Sequence, residues 1–224
     1  MHRSTSTDTS VRLYGWLISG GSIAAISLMS LHPRMSGGSP LEIVQALVRN
    51  AIFNASIHGS LMAVYVLLAV AFLGLCHYLG RHRVTVQLGY AAYVLSLVAG
   101  ISAAVSAGFV MTTIAGGYPN PTPDQVDRML NGMRVAGAYN FTWGRIWMIA
   151  VSAAVLLWSV ELVRRDKALE RSIGAYGIAL GAVTITGMIA GIIGLSVYAV
   201  LAMVAAQTLW SVLVGVLLIR HGAN

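Results

Sequence analysis

Long apolar runs separated by short polar stretches make up most of the chain. The runs at residues 13–32, 56–79, 85–114, 141–163, 172–194 and 197–219 are the predicted spans. A helix rises 1.5 Å per residue, so about 20 apolar residues cross the roughly 30 Å of bilayer hydrocarbon. The first run meets that length only just. It carries Ser19, Gly20, Gly21, Ser22, Ser27 and Ser30, a composition suited to packing against other helices rather than facing lipid all round. The third is longer than a bilayer requires and is expected to tilt or protrude. Gly191-Ile192-Ile193-Gly194, with Ser196, marks the turn between the last two spans.

Two of the polar stretches share a pattern. Ser39-Pro40-Leu41-Glu42 and Thr122-Pro123-Asp124-Gln125 both read S/T-P-x-E/Q, a capping box with proline at the first helical position. Apolar residues follow at helical spacing: Ile43, Ala46, Leu47 and Ala51 in one, Val126, Met129, Leu130 and Met133 in the other. Asp124, Asp127, Arg128 and Asn131 oppose the second set. The pattern predicts two amphipathic surface helices on the non-cytoplasmic side. Span, surface helix, span would then occur twice, at 13–79 and 85–163, as a parallel internal repeat, with a C-terminal hairpin at 172–219. The alternative is that any loop lying on a bilayer tends to form such a helix. The expected fold is all-α: a polytopic membrane protein of six transmembrane helices in a single membrane domain, 1–224.

Composition agrees with this reading. Only 9% of residues are charged and 57% are hydrophobic, whereas a soluble domain carries about 25% charged residues. The net charge of +7 points away from nucleic acid, because the basic residues lie in short clusters between spans with no aromatic stacking platform. With six spans both termini share one side. That side holds Arg3, Arg12, Arg81, Arg83, Arg164, Arg165, Lys167, Arg171 and Arg220; the other holds Arg34, Arg49, Arg128, Arg134 and Arg145. The positive-inside rule therefore expects cytoplasmic termini, with a bacterial cytoplasmic membrane as the home. Leu28-Met29-Ser30-Leu31-His32-Pro33 offers no small-x-small cleavage site, so the first run is read as a retained helix. Cys76 is the single cysteine and is read as a small core hydrophobe.

Polar residues at membrane depth are the default place to seek function. His32 closes the first span and His58 opens the second, at similar depth. Two such imidazoles could ligate a haem b iron axially or, with Met35 and Met62, hold copper. The competing explanation is that both histidines sit at the headgroup boundary and bond water, lipid or backbone. His58-Gly59-Ser60-Leu61-Met62 ahead of an apolar run is similar to parts of b-type cytochromes, a resemblance too short to carry residue roles or activity. His77 and His221 suggest a second site on the other side, but His58 and His77 are separated by about 100° of rotation and share no helix face. Arg145 lies just inside the fourth span, flanked by Trp143 and Trp147. It is expected either to snorkel outward or to contact an anionic substrate or lipid headgroup. Trp16 and Trp158 are read with them as interfacial anchors. Glu161, Asp166 and Glu170 read as ordinary loop charges.

None of the GxxxxGK[ST], HExxH, GxSxG or GxGxxG signatures is present. The function expected is therefore a non-catalytic binding or accessory subunit that presents its outer helices to a ligand or membrane-protein partner. A haem or copper redox protein is the alternative, a small-molecule transporter comes third, and whether the chain is an enzyme stays open.

Overall fold

The computed structural model describes residues 5–31, 39–118 and 120–222. His32, Arg34 and Met35 lie outside them. In chain order the helices are α1 (Thr5–Ser30), α2 (Pro40–Arg49), α3 (Ala51–Leu79), α4 (Val84–Val105), a π turn (Ser106–Val110), α5 (Met111–Ala115), α6 (Pro123–Val163), α7 (Ala168–Ile189) and α8 (Val197–His221). Six stretches are long and apolar enough to cross a membrane: Ser10–Ser30, Ala51–Leu79, Val84–Ala115, Pro123–Val163, Ala168–Ile189 and Tyr198–His221.

These six helices close a ring. α1 packs on α3, α3 on α4, α4 on α6, α6 on α7, α7 on α8, and α8 returns to α1. Each satisfies its own backbone hydrogen bonds, so the ring is held by side-chain packing rather than by main-chain pairing. The tightest seam joins α1 and α8 at Gly15 and Gly215, where a Cβ on Gly215 would lie 2.6 Å from the Gly15 carbonyl oxygen. Large side chains fill the ring axis. Trp158 stacks on Trp210 at 6.3 Å and on Phe72 at 5.0 Å, and Tyr93 lies 4.8 Å from Phe72.

A second hydrophobic cluster lies at the end away from the termini. Val44 and Leu47 of α2 pack with Ala115 of α5 and with Val126 and Met129 of α6. Both capping boxes form. The Ser39 hydroxyl accepts the Glu42 N–H at 3.3 Å, and the Glu42 carboxylate takes the Ser39 N–H at 3.2 Å. At the other box the Thr122 N–H donates to Gln125 Oε1 at 2.9 Å. The two segments thus meet in one cap, with Glu42, Gln45, Asp124, Asp127 and Arg128 exposed around it.

Three boundaries differ from the sequence reading. The second outer helix and the fourth span are one unbroken helix: α6 runs for 41 residues, about 60 Å, or twice the hydrocarbon thickness. Met129 and Ala136 before Asn140 and Met148 after it are buried on the one helix, and no proline or glycine stands at Asn140 to end it. Gly144 stands level with Leu195 of the α7–α8 turn, so residues 123–143 extend past the end of α7. The third span is interrupted by the π turn. The last hairpin turns sooner than expected, at Ile189, with Gly191 in the left-handed region (φ 70°) that glycine adopts without a Cβ penalty.

Candidate functional site

The ring axis holds polar groups at membrane depth. Beside the aromatic stack lies a cavity of about 70 Å³, lined by Ser22 of α1, Tyr65 of α3, Tyr93 of α4 and Gln207, Thr208 and Ser211 of α8, among others. The Gln207 amide donates to Ser152 Oγ at 3.0 Å. Its carbonyl oxygen, and the hydroxyls of Ser22, Tyr65, Tyr93, Thr208 and Ser211, make no hydrogen bond among the described residues. The cavity wall is mainly apolar, so these polar groups are a few bonding points at which water or a small molecule can be held. None of the lining residues carries a charge, which suits an uncharged occupant. The volume is about half of the roughly 150 Å³ that holds benzene.

Nearer the cap, His58 is buried and its Nδ1–H donates to the Asn54 carbonyl at 2.8 Å. In the neutral ring this tautomer puts the lone pair on Nε2. Asn54, one turn earlier, donates its side-chain amide to the Ala107 carbonyl at 2.9 Å, and the Ser106 hydroxyl donates to the Ala136 carbonyl at 2.8 Å. The Asn54 amide thus occupies a carbonyl of the π turn, as a side chain inserted into a helical ladder does, and the Ser106 hydroxyl ties the turn to α6. Gly108 receives the imidazole: a Cβ there would lie 2.5 Å from His58 Cβ.

The other residues singled out from sequence fall in different places. Met62 is half-buried in α3, and no group of three or more His, Cys, Asp or Glu side chains suited to a metal occurs among the described residues. Arg145 is exposed, with no hydrogen bond or ion pair among the described residues. Trp143 packs on Tyr139 at 5.8 Å. Trp147 turns inward, 5.9 Å from Tyr65, and lines the cavity. Trp158 is fully buried rather than interfacial, with its indole N–H on the Val86 carbonyl at 3.3 Å.

Two carboxylates read as loop charges are in fact buried. Glu161 is 1% exposed and accepts from Arg83, from Thr85 and, at 2.9 Å, from Arg164. Glu170 is 3% exposed and accepts the Tyr78 hydroxyl at 2.8 Å. The Glu161–Arg164 spacing was visible in the sequence, but Arg83 and Thr85 reach Glu161 only because α4 lies against α6. Glu161→Ala is expected to destabilise the protein by about 2 kcal/mol, the scale of lost hydrogen bonds to a charged group. The figure is held down because Arg83 and Arg164 keep much of their hydration. Reversible unfolding in mixed micelles checks this, and a loss below about 0.5 kcal/mol would show that the cluster is not structural.

Fold and site together define a six-span helical membrane protein with an uncharged, mainly apolar cavity, carrying a few polar side chains, on the axis of its ring. Comparison of the chain with protein-family models, curated proteins and solved structures finds no match.

Proposed function

We propose that the protein is a non-catalytic membrane protein that binds a small, uncharged polar solute at the centre of its helical ring and exchanges it between the two faces of the bilayer. The observation that supports this is an uncharged cavity at membrane depth whose mainly apolar wall includes the side chains of Ser22, Tyr65, Tyr93, Gln207, Thr208 and Ser211, since polar groups there are costly and mark solute sites. The uneven distribution of basic residues, nine on the termini side and five on the other, supports cytoplasmic termini and a bacterial cytoplasmic membrane.

Reconstituted vesicles test the reading. Water, urea and glycerol serve as probes in stopped-flow light scattering, and at least one is expected to equilibrate faster than in protein-free vesicles. The paired change Gln207→Leu and Ser211→Leu removes two of the cavity's polar groups and is expected to abolish the gain. Equal rates with and without protein for all three probes would overturn the proposal.

A second reading rests on the cap. Val135 and Tyr139 of α6 and Ile52 and Phe53 of α3 are exposed near it, and this supports an accessory subunit that docks a membrane-protein partner there. The haem or copper alternative rests on the His58 tautomer, the one a ligating histidine holds when its other nitrogen donates to a carbonyl. An absorption spectrum and metal analysis of the purified protein test that alternative, since a Soret band or copper lost in His58→Ala would favour it.

A further inference from the structure

At the termini end of the ring, a cavity of about 180 Å³ opens between α3, α7 and α8. Lys167 and Arg220 line it, with His221 beside them, and all three are exposed. Neither Lys167 nor Arg220 makes a hydrogen bond or ion pair among the described residues. The one carboxylate in the wall, Glu170, is buried and already takes the Tyr78 hydroxyl. Arg165 is committed beside it, donating to the Tyr78 carbonyl at 2.7 Å with its guanidinium 5.1 Å from that ring. Two full positive charges therefore face the space against one negative charge, which takes the hydroxyl of Tyr78 in the same wall.

Two further features fit an anion. α7 starts at this cavity with Lys167 as its N-cap, and no side chain caps its first turn, so its free N–H groups face an anion there even though Glu170 in the same turn offsets part of the positive helix end. Leu169 and Leu217 form an apolar wall in the same cavity. The cavity sits where α3 ends at Leu79, α7 begins at Ala168 and α8 ends at His221, the level at which spans meet the headgroup layer. Cations on one side and leucines on the other match a molecule with a charged head and an apolar body.

We propose that this cavity binds a phosphate ester, held by Lys167, Arg220 and the α7 N-terminus, with His221 at its rim. An anionic phospholipid headgroup is the source that the leucine wall favours; a soluble phosphate is the other source of the same chemistry. The full-length protein in detergent is titrated with phosphatidylglycerol, and separately with inorganic phosphate. Bound lipid is counted by native mass spectrometry and stabilisation is read as a shift in Tm.

One phosphatidylglycerol per chain is expected to survive gentle activation. Its affinity should fall about thirtyfold in the Lys167→Gln, Arg220→Gln double variant, the effect of two basic side chains at a charged lipid surface. A control pair of the same charge loss at the cap, Arg128→Gln with Arg134→Gln, is expected to bind as the parent does. Stabilisation by inorganic phosphate that is lost in the Lys167, Arg220 variant would support the site with a soluble ligand as its source. Equal binding by the double variant and the parent, both with parental circular dichroism, would overturn the proposal. So would a loss of the same size in the cap control.

Discussion

Replacing Trp158 by alanine is expected to cost about 3 kcal/mol of stability, at the lower end of the range for emptying a large buried aromatic site. The lower end applies because lipid is as apolar as the ring interior. Little transfer energy is therefore lost, and the cost is mainly that of the packing left unfilled. Trp158 is fully buried at the meeting point of α3, α4, α6 and α8, stacked on Phe72 and Trp210 and capped by the Val86 carbonyl. The void would also join the neighbouring cavity, which Trp158 itself helps to line. Trp158→Phe keeps most of the stack and loses the indole hydrogen bond, so it should cost about 1 kcal/mol. Reversible unfolding in mixed micelles measures both. An alanine variant within about 0.5 kcal/mol of the parent would mean that the axis is not the packed centre of the ring.

The second large effect is expected at the α1–α8 seam. Gly215→Val places a Cβ 2.6 Å from the Gly15 carbonyl oxygen and 3.2 Å from the Ser19 backbone nitrogen. Both obstacles are main chain and have no rotamer to change, so the two helices must separate along their length. Overpacking of this kind costs about 3 kcal/mol. Gly20 supplies a control on α1, because a Cβ there meets nothing within 4 Å. Gly20→Val should stay within about 0.5 kcal/mol of the parent. The same unfolding assay compares the two, and equal stability of Gly215→Val and Gly20→Val would show that the close approach contributes nothing.

The six spans and both capping boxes were legible from residue order because they are local properties. Hydropathy over a stretch of about 20 residues decides whether a helix can enter a bilayer, and every helix there must close its own backbone bonds. Ser39 with Glu42, and Thr122 with Gln125, likewise act across three residues. His58 was singled out as a polar residue at membrane depth and is buried, yet its partners were hidden. The Asn54 carbonyl lies one turn away on its own helix, while Gly108 and the π turn arrive from α4.

The facing of each helix was decided only by assembly. In a soluble protein the apolar stripe of a helix announces its inner face; here lipid and interior are equally apolar, so no stripe separates them. Trp158 and Trp16 therefore read alike as interfacial rings, although one is fully buried and the other is exposed to 62%. Glu161 reads as a loop charge until α4 brings Arg83 and Thr85 against it. The axial cavity has the same origin: Ser22, Tyr65, Tyr93 and Gln207 belong to four helices, and each is an unremarkable polar residue in an apolar run. Only the closing of α8 onto α1 brings them to one place, because rotation about a helix axis is set by contacts between segments far apart in the chain.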